Sequence, residues 1–255
     1  MRSASRAVTA VTVLLTVGAA ATDVACFTRL GGVFASVMTS NLVFLGLSAA
    51  RHSGALAGRA GAAVAAYTIG VAAASRLGRG GQRSRAAGCG PGDSGEAWSA
   101  WIAATLIAEI VLLAAFTAGW EITGGRPAGT DQLILLAIAA VAMGMQSGVI
   151  AVMGIAGVST TYLTGTLTTL VDTLAGSRPH AGGNGRRLAV LCALAAGAGL
   201  GGLLLASAQA ALPAVPLAAL AGAIITGSAW LRPAHQARAE TLAPVPAPPR
   251  EGDVS

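Results

Sequence analysis

The sequence predicts an all-α fold, a polytopic membrane helix bundle of about six spanning helices plus two short broken or re-entrant segments. Three observations carry this expectation. Of the 255 residues, 54% are hydrophobic and only 10% charged, against about 25% charged in a typical soluble domain. Several stretches run for roughly 18 or more apolar residues without a charge, long enough to cross the hydrocarbon of a bilayer. The basic residues are all arginine, gathered in short runs between apolar segments. A net charge of +6 could otherwise point to nucleic acid. Loop arginines of a membrane protein explain it better, so the lipid bilayer is an expected partner and nucleic acid is not.

The spans are expected at about 8–28, 56–77, 98–119, 131–153, 188–208 and 212–231. The first follows Arg2 and Arg6. Ala19-Ala20-Ala21 resembles a signal-peptidase site, but the apolar run continues through Cys26, so it is read as a retained span. Residues 78–97, containing Gly-Cys-Gly-Pro-Gly, read as a Gly- and Arg-rich loop. Residues 1–232 form one membrane domain, and 233–255 an Ala/Pro-rich disordered tail. Cys26 and Cys192 lie in apolar segments and Cys89 in the loop. They read as packing residues, since no Cys or His spacing suits a metal. No cofactor is expected.

Two further segments, about 32–50 and 157–174, are unlike the rest. The second is dense in threonine and carries Asp172, which makes it a poor lipid-facing helix. With Gly32-Val33 set above Gly157-Val158, Thr39 meets Thr164, Ser40 meets Gly165, Asn41 meets Thr166 and Leu42 meets Leu167. Each odd segment follows one long apolar segment and precedes two. That arrangement defines two repeats, about 8–119 and 131–231. If the odd segments do not cross, the repeats are inverted. With the N-terminus inside, the arginines then divide 12 inside to 4 outside. The alternative, eight spans in parallel repeats, divides them 11 to 5. The positive-inside rule favours the first slightly and puts both termini in the cytoplasm of a cell whose inner membrane holds the protein.

The segments carry a resemblance. Asp23, closing the first apolar segment, is followed by GGVFASVMTSNLVFLGLS at 31–48; the second half has AMGMQSG at 142–148 and then VSTTYLTGTLTTL at 158–170. Together with Glu109, this pattern resembles the YoaK-type family of bacterial multi-pass membrane proteins. The resemblance implies an architecture but no chemistry, because that family has no settled activity. Ser40 stands where the family has glycine, and Ser147 where it has Asn after Gln146.

The candidate substrate or ion site comprises Asp23, Thr39, Ser40, Asn41, Gln146, Thr164, Gly165 and Thr166. Breaking a helix in the membrane frees backbone groups that hydroxyl and amide side chains, water or a ligand must satisfy. In transporters built from inverted repeats such breaks meet at the midplane. The competing account is close helix packing by small residues. Glu109 has about ten apolar helical residues on either side. It is either protonated and hydrogen-bonded, or a site of proton or cation coupling, a role for which Asp23 is also a candidate. Gly197, Gly199 and Gly202 match a dinucleotide fingerprint, but no strand precedes them. The pair Gly197 and Gly201 points instead to helix packing.

The function expected is a small secondary-transporter-like or channel-like protein with a polar site between the repeats. Its partners would be a small solute or ion and a second copy of the chain. The alternative is a non-transporting accessory or sensor protein whose polar motifs only pack helices. An enzyme is not expected, since His52, His180 and His235 all lie in loops or the tail and no nucleophile is paired with a base in the spans.

Overall fold

The computed structural model describes residues 2–86, 91–153, 163–175 and 184–241. Among them are eight α-helices: α1 (Arg2–Arg29), α2 (Met38–Ala50), α3 (Gly54–Ala86), α4 (Pro91–Ile122), α5 (Gly129–Met153), α6 (Leu163–Leu174), α7 (Asn184–Ser207) and α8 (Ala214–Thr241). A single 3-10 turn, Gln209–Ala211, joins the last two. Six helices hold stretches long and apolar enough to cross a membrane: Arg6–Arg29, Gly54–Gly78, Trp101–Ile122, Gly129–Ala151, Asn184–Ser207 and Gln209–Ser228. These match the six spans read from the sequence.

The two odd segments are short helices. α2 has 13 residues and α6 has 12, about 18–20 Å of helix at 1.5 Å per residue. A crossing needs about 20 residues, so neither helix crosses alone. Much of the expected loop at 78–97 is helical instead, with α3 reaching Ala86 and α4 starting at Pro91. Arginine is a good helix former and favours a helix C-terminus, while proline suits the first helical position. α8 likewise continues through Pro233 to Thr241, into the stretch assigned to the tail. Residues 242–255 lie outside the described residues, as does Cys89.

Close contacts fix the direction of each helix. Gln132, in the first turn of α5, donates its side-chain amide to the Arg29 carbonyl at the end of α1, at 2.8 Å, so α5 runs back along the direction of α1. Gly144 faces Tyr67 and Gly148 faces Val71 and Ala74, so α3 and α5 run parallel. Gly197 faces Val17 and Ala20, and Gly201 faces Ala21 and Val24, so α7 runs parallel to α1. Gly18 meets Pro216 and Ala219, while Gly222 meets Leu14, so α8 opposes α1. The principal packing of α1 is therefore against α7 and α8, and that of α5 against α3 and α4.

The two parallel seams depend on missing side chains. A Cβ at Gly144 would lie 2.2 Å from the Tyr67 carbonyl oxygen, and one at Gly70 would lie 2.2 Å from that of Val141. At Gly197 it would lie 2.6 Å from the Val17 carbonyl oxygen. The backbones approach as they do in membrane helix pairs packed through small residues. The packing role read for Gly197 and Gly201 thus has its contact. The Gly144-x-x-x-Gly148 spacing inside AMGMQSG has the same kind of role. The main core lies where these seams meet α4 and α8, around Leu113, Phe116, Trp120, Leu136, Leu212 and Leu220.

Candidate functional site

Helical periodicity places Glu109. Along α4, Trp101, Thr105, Glu109, Leu113, Phe116 and Trp120 are all buried, whereas Ile107, Ile110 and Val111 are exposed. Steps of three and four residues keep the first set on one face of a helix. The carboxyl is therefore carried inward by the same stripe as its large apolar neighbours. Glu109 is only 2% exposed, and Gln146 on α5 only 6%.

Both line one small cavity with Leu15, Gly18 and Ala19 of α1, Leu113 of α4, Met143 of α5, and Pro216, Ala219 and Leu220 of α8. The cavity has about 10 Å³ of room for a water-sized sphere, the space of roughly one water. Among the described residues, every fully enclosed side-chain nitrogen or oxygen has a hydrogen-bond partner. The Glu109 and Gln146 side chains make no hydrogen bond to a described residue, so their polar ends are open to the cavity. The structure thus brings together two candidates that lie 37 positions apart in the chain.

Asp23 has a different environment. Its Oδ1 accepts the backbone N–H groups of Ala35 (2.8 Å) and Ser36 (2.9 Å), and its Oδ2 accepts the Ser36 hydroxyl at 2.5 Å. Asn41 treats Phe34 similarly. Its Oδ1 accepts the Phe34 N–H at 3.0 Å, and its Nδ2 donates to the Phe34 carbonyl at 2.7 Å. The connection between α1 and α2 has no strand or helix to satisfy its backbone, and these two side chains do so instead. The rings of Phe27, Phe34 and Phe44 stack alongside at centroid distances of 5.1 and 6.2 Å.

This clamp shows where α2 goes. Asp23 lies six residues before the end of α1, about 9 Å along the helix, and it draws residues 35 and 36 back to its own depth. The side chain of Arg59, early in α3, covers Gly31 just past the end of α1. α1 therefore ends at the level where α3 begins. The intervening segment dips inward and returns, with the first turn of α2 at its inner end and Leu45 against Gly61.

The other candidates do not join either group. Thr39 is exposed and Ser40 half-buried. On α6, Thr164 and Gly165 are exposed while Thr166 is buried. The hydrogen bonds of Asp23 and Asn41 all go to residues 34–38. The threonines that make α6 look polar are largely self-satisfied: Thr168, Thr169 and Thr173 each donate to the carbonyl four residues earlier, which lowers the cost of an apolar setting. Residues 154–162, where the second half would repeat the α1–α2 connection, lie outside the described residues.

Sequence reasoning missed Ser36, whose hydroxyl and N–H both serve Asp23, and Phe34, whose backbone Asn41 holds. The available signal was the pair of glycines Gly31 and Gly32, both with positive φ (+100° and +77°), which announce a sharp turn after α1. No group of His, Cys, Asp and Glu among the described residues could hold a metal ion.

The model of a family described as "Protein of unknown function (DUF1275)" matches residues 11–226. The match takes in most of the first and last spans, all of the other four and both odd segments, and the chain belongs to that uncharacterised family. No curated protein and no solved structure matches it.

Proposed function

We propose that this member of the DUF1275 family is a small secondary-transporter-like or channel-like protein of the bacterial inner membrane, with its polar site between two inverted repeats. The observation that carries the reading is the cavity shared by Glu109 and Gln146. Its walls come from α1 and α4 of the first half and α5 and α8 of the second. A carboxyl with no hydrogen bond to a described residue, buried within a membrane helix, is costly and marks a solute, ion or proton pathway by default. The run directions support the inverted repeat: α5 opposes α1, α7 opposes α3 and α8 opposes α4. So does the exchange of partners, since the first helix of each half packs on the last two spans of the other. The dipping α2 is the kind of discontinuous helix from which repeat transporters build sites. Asp23 with the motif at Met38–Asn41 supports the YoaK-type designation within the family, and the arginine distribution supports cytoplasmic termini. The reading is non-enzymatic.

The test is flux in liposomes carrying the purified chain. Wild type should pass protons or a small ion faster than protein-free liposomes, and Glu109→Gln should return the rate to that of protein-free liposomes. If Glu109→Gln and Gln146→Leu both leave a measured flux unchanged, the site is wrong.

A second reading, an accessory or sensor protein whose polar motifs only pack helices, is favoured by Asp23 and Asn41. Their hydrogen bonds are occupied with the chain's own backbone. On that reading substitutions change stability or partner retention, and no flux is seen.

A further inference from the structure

The cavity of Glu109 and Gln146 also limits what can occupy it, and the geometry points to a reversible protonation site: the species it takes up is a proton, not a metal ion or an organic solute. This inference rests on the reading of the cavity as the functional site and narrows its substrate class.

The first argument is room. Space for about one water excludes an organic solute in this conformation. The second is the supply of ligand atoms. Hard cations bind six or more oxygens, from protein or retained waters. Here the side chains supply two carboxylate oxygens and one amide oxygen. Every other lining residue (Leu15, Gly18, Ala19, Leu113, Met143, Pro216, Ala219 and Leu220) brings an apolar side chain or none. The Gly18 carbonyl already accepts the Thr22 hydroxyl at 2.9 Å.

The third argument is Gln146 itself. A primary amide has both donors and an acceptor. Its N–H groups suit a carboxylate, and its oxygen suits the O–H of a carboxylic acid. It can partner either form of Glu109 without supplying a charge that would lock one of them. A lysine or arginine there would hold the carboxylate permanently ionised.

No second titratable group lines the cavity from α1, α5 or α8. Asp23, one turn beyond Ala19 on α1, is turned toward Ala35 and Ser36. The step balances simply: a hydrated proton arrives, the Glu109 carboxylate takes it to become a carboxylic acid, and water is released. The reverse step returns it.

The test is an infrared difference titration of the full chain in lipid nanodiscs. The expected result is a protonated-carboxyl band that comes and goes reversibly with pH and is unaffected by sodium, potassium or magnesium. Glu109→Gln should remove it, while Glu109→Asp and Gln146→Leu, which keep a carboxyl, should shift it. Either substitution retains the assignment if Glu109→Gln fails to fold. A Glu109 band that pH never moves, or the absence of any such band at every pH, overturns the proposal. A band erased by sodium or potassium at fixed pH overturns it in favour of a cation site and leaves the transport reading standing. A titrating band with no flux in liposomes keeps the protonation site and removes transport.

Discussion

Asp23 and Glu109 are both buried carboxyls on membrane-spanning helices, yet they differ in what surrounds their oxygens. Asp23 accepts three hydrogen bonds from Ala35 and Ser36. Glu109 faces a cavity, with an amide as the only other polar side chain in its lining. A carboxyl occupied by its own chain ties that chain together; one left open to a small cavity keeps hydrogen-bonding capacity that the described residues do not use. Burial does not separate them, since both are under a tenth exposed. The hydrogen-bond inventory does.

Substitutions can break that contrast, and their effects should descend in order. Asp23→Ala should cost the most, about 4 kcal/mol, because it strands two backbone N–H groups and a hydroxyl where little water can replace the acceptor. Equilibrium unfolding in mixed micelles would measure it, and a loss comparable to that at Glu109 would erase the distinction. Asn41→Leu follows at about 2–3 kcal/mol, since both backbone groups of Phe34 lose their partner. Proteolysis near residues 30–37 should rise with it. Ser36→Ala removes one hydroxyl donor and leaves the two N–H bonds to Asp23, so about 1 kcal/mol is expected in the same assay. Glu109→Leu should be smallest, within about 1 kcal/mol or stabilising, because it breaks no hydrogen bond to a described residue and withdraws a polar group from an apolar setting. A large destabilisation there would make Glu109 a structural carboxyl like Asp23.

Much of the fold was legible in the sequence. Six long apolar runs become six long helices because a membrane leaves the backbone no other local way to satisfy its polar groups. The oddness of 32–50 was legible too, through Thr39-Ser40-Asn41 in an apolar context. Its meaning was not. Asn41 reads as a ligand until the chain shows Phe34 folded back against it, a contact that depends on the turn at Gly31 and Gly32. Threonine density at 163–174 marked the segment as unlike the long spans, but the local bonding of its hydroxyls was not legible. Composition counts hydroxyls as polar, while the helix lets Thr168, Thr169 and Thr173 bond to carbonyls of their own turn. That Glu109 and Gln146 line one cavity was out of reach for a plainer reason. Each is legible as an intramembrane polar residue, but which helices meet is decided by glycine seams such as Gly144 on Tyr67 and Gly197 on Val17.

The amino-acid sequence alone therefore determined the apolar character of this protein, the number of its long apolar helices and the two short segments that differ from them, because these follow from local hydrophobicity and backbone satisfaction. Only the tertiary structure decided which polar residues serve the chain and which face open space. Hydrogen-bond partners drawn from 12 or 13 positions away, and cavity walls drawn from four helices, are properties of packing, and no local pattern of residues encodes them.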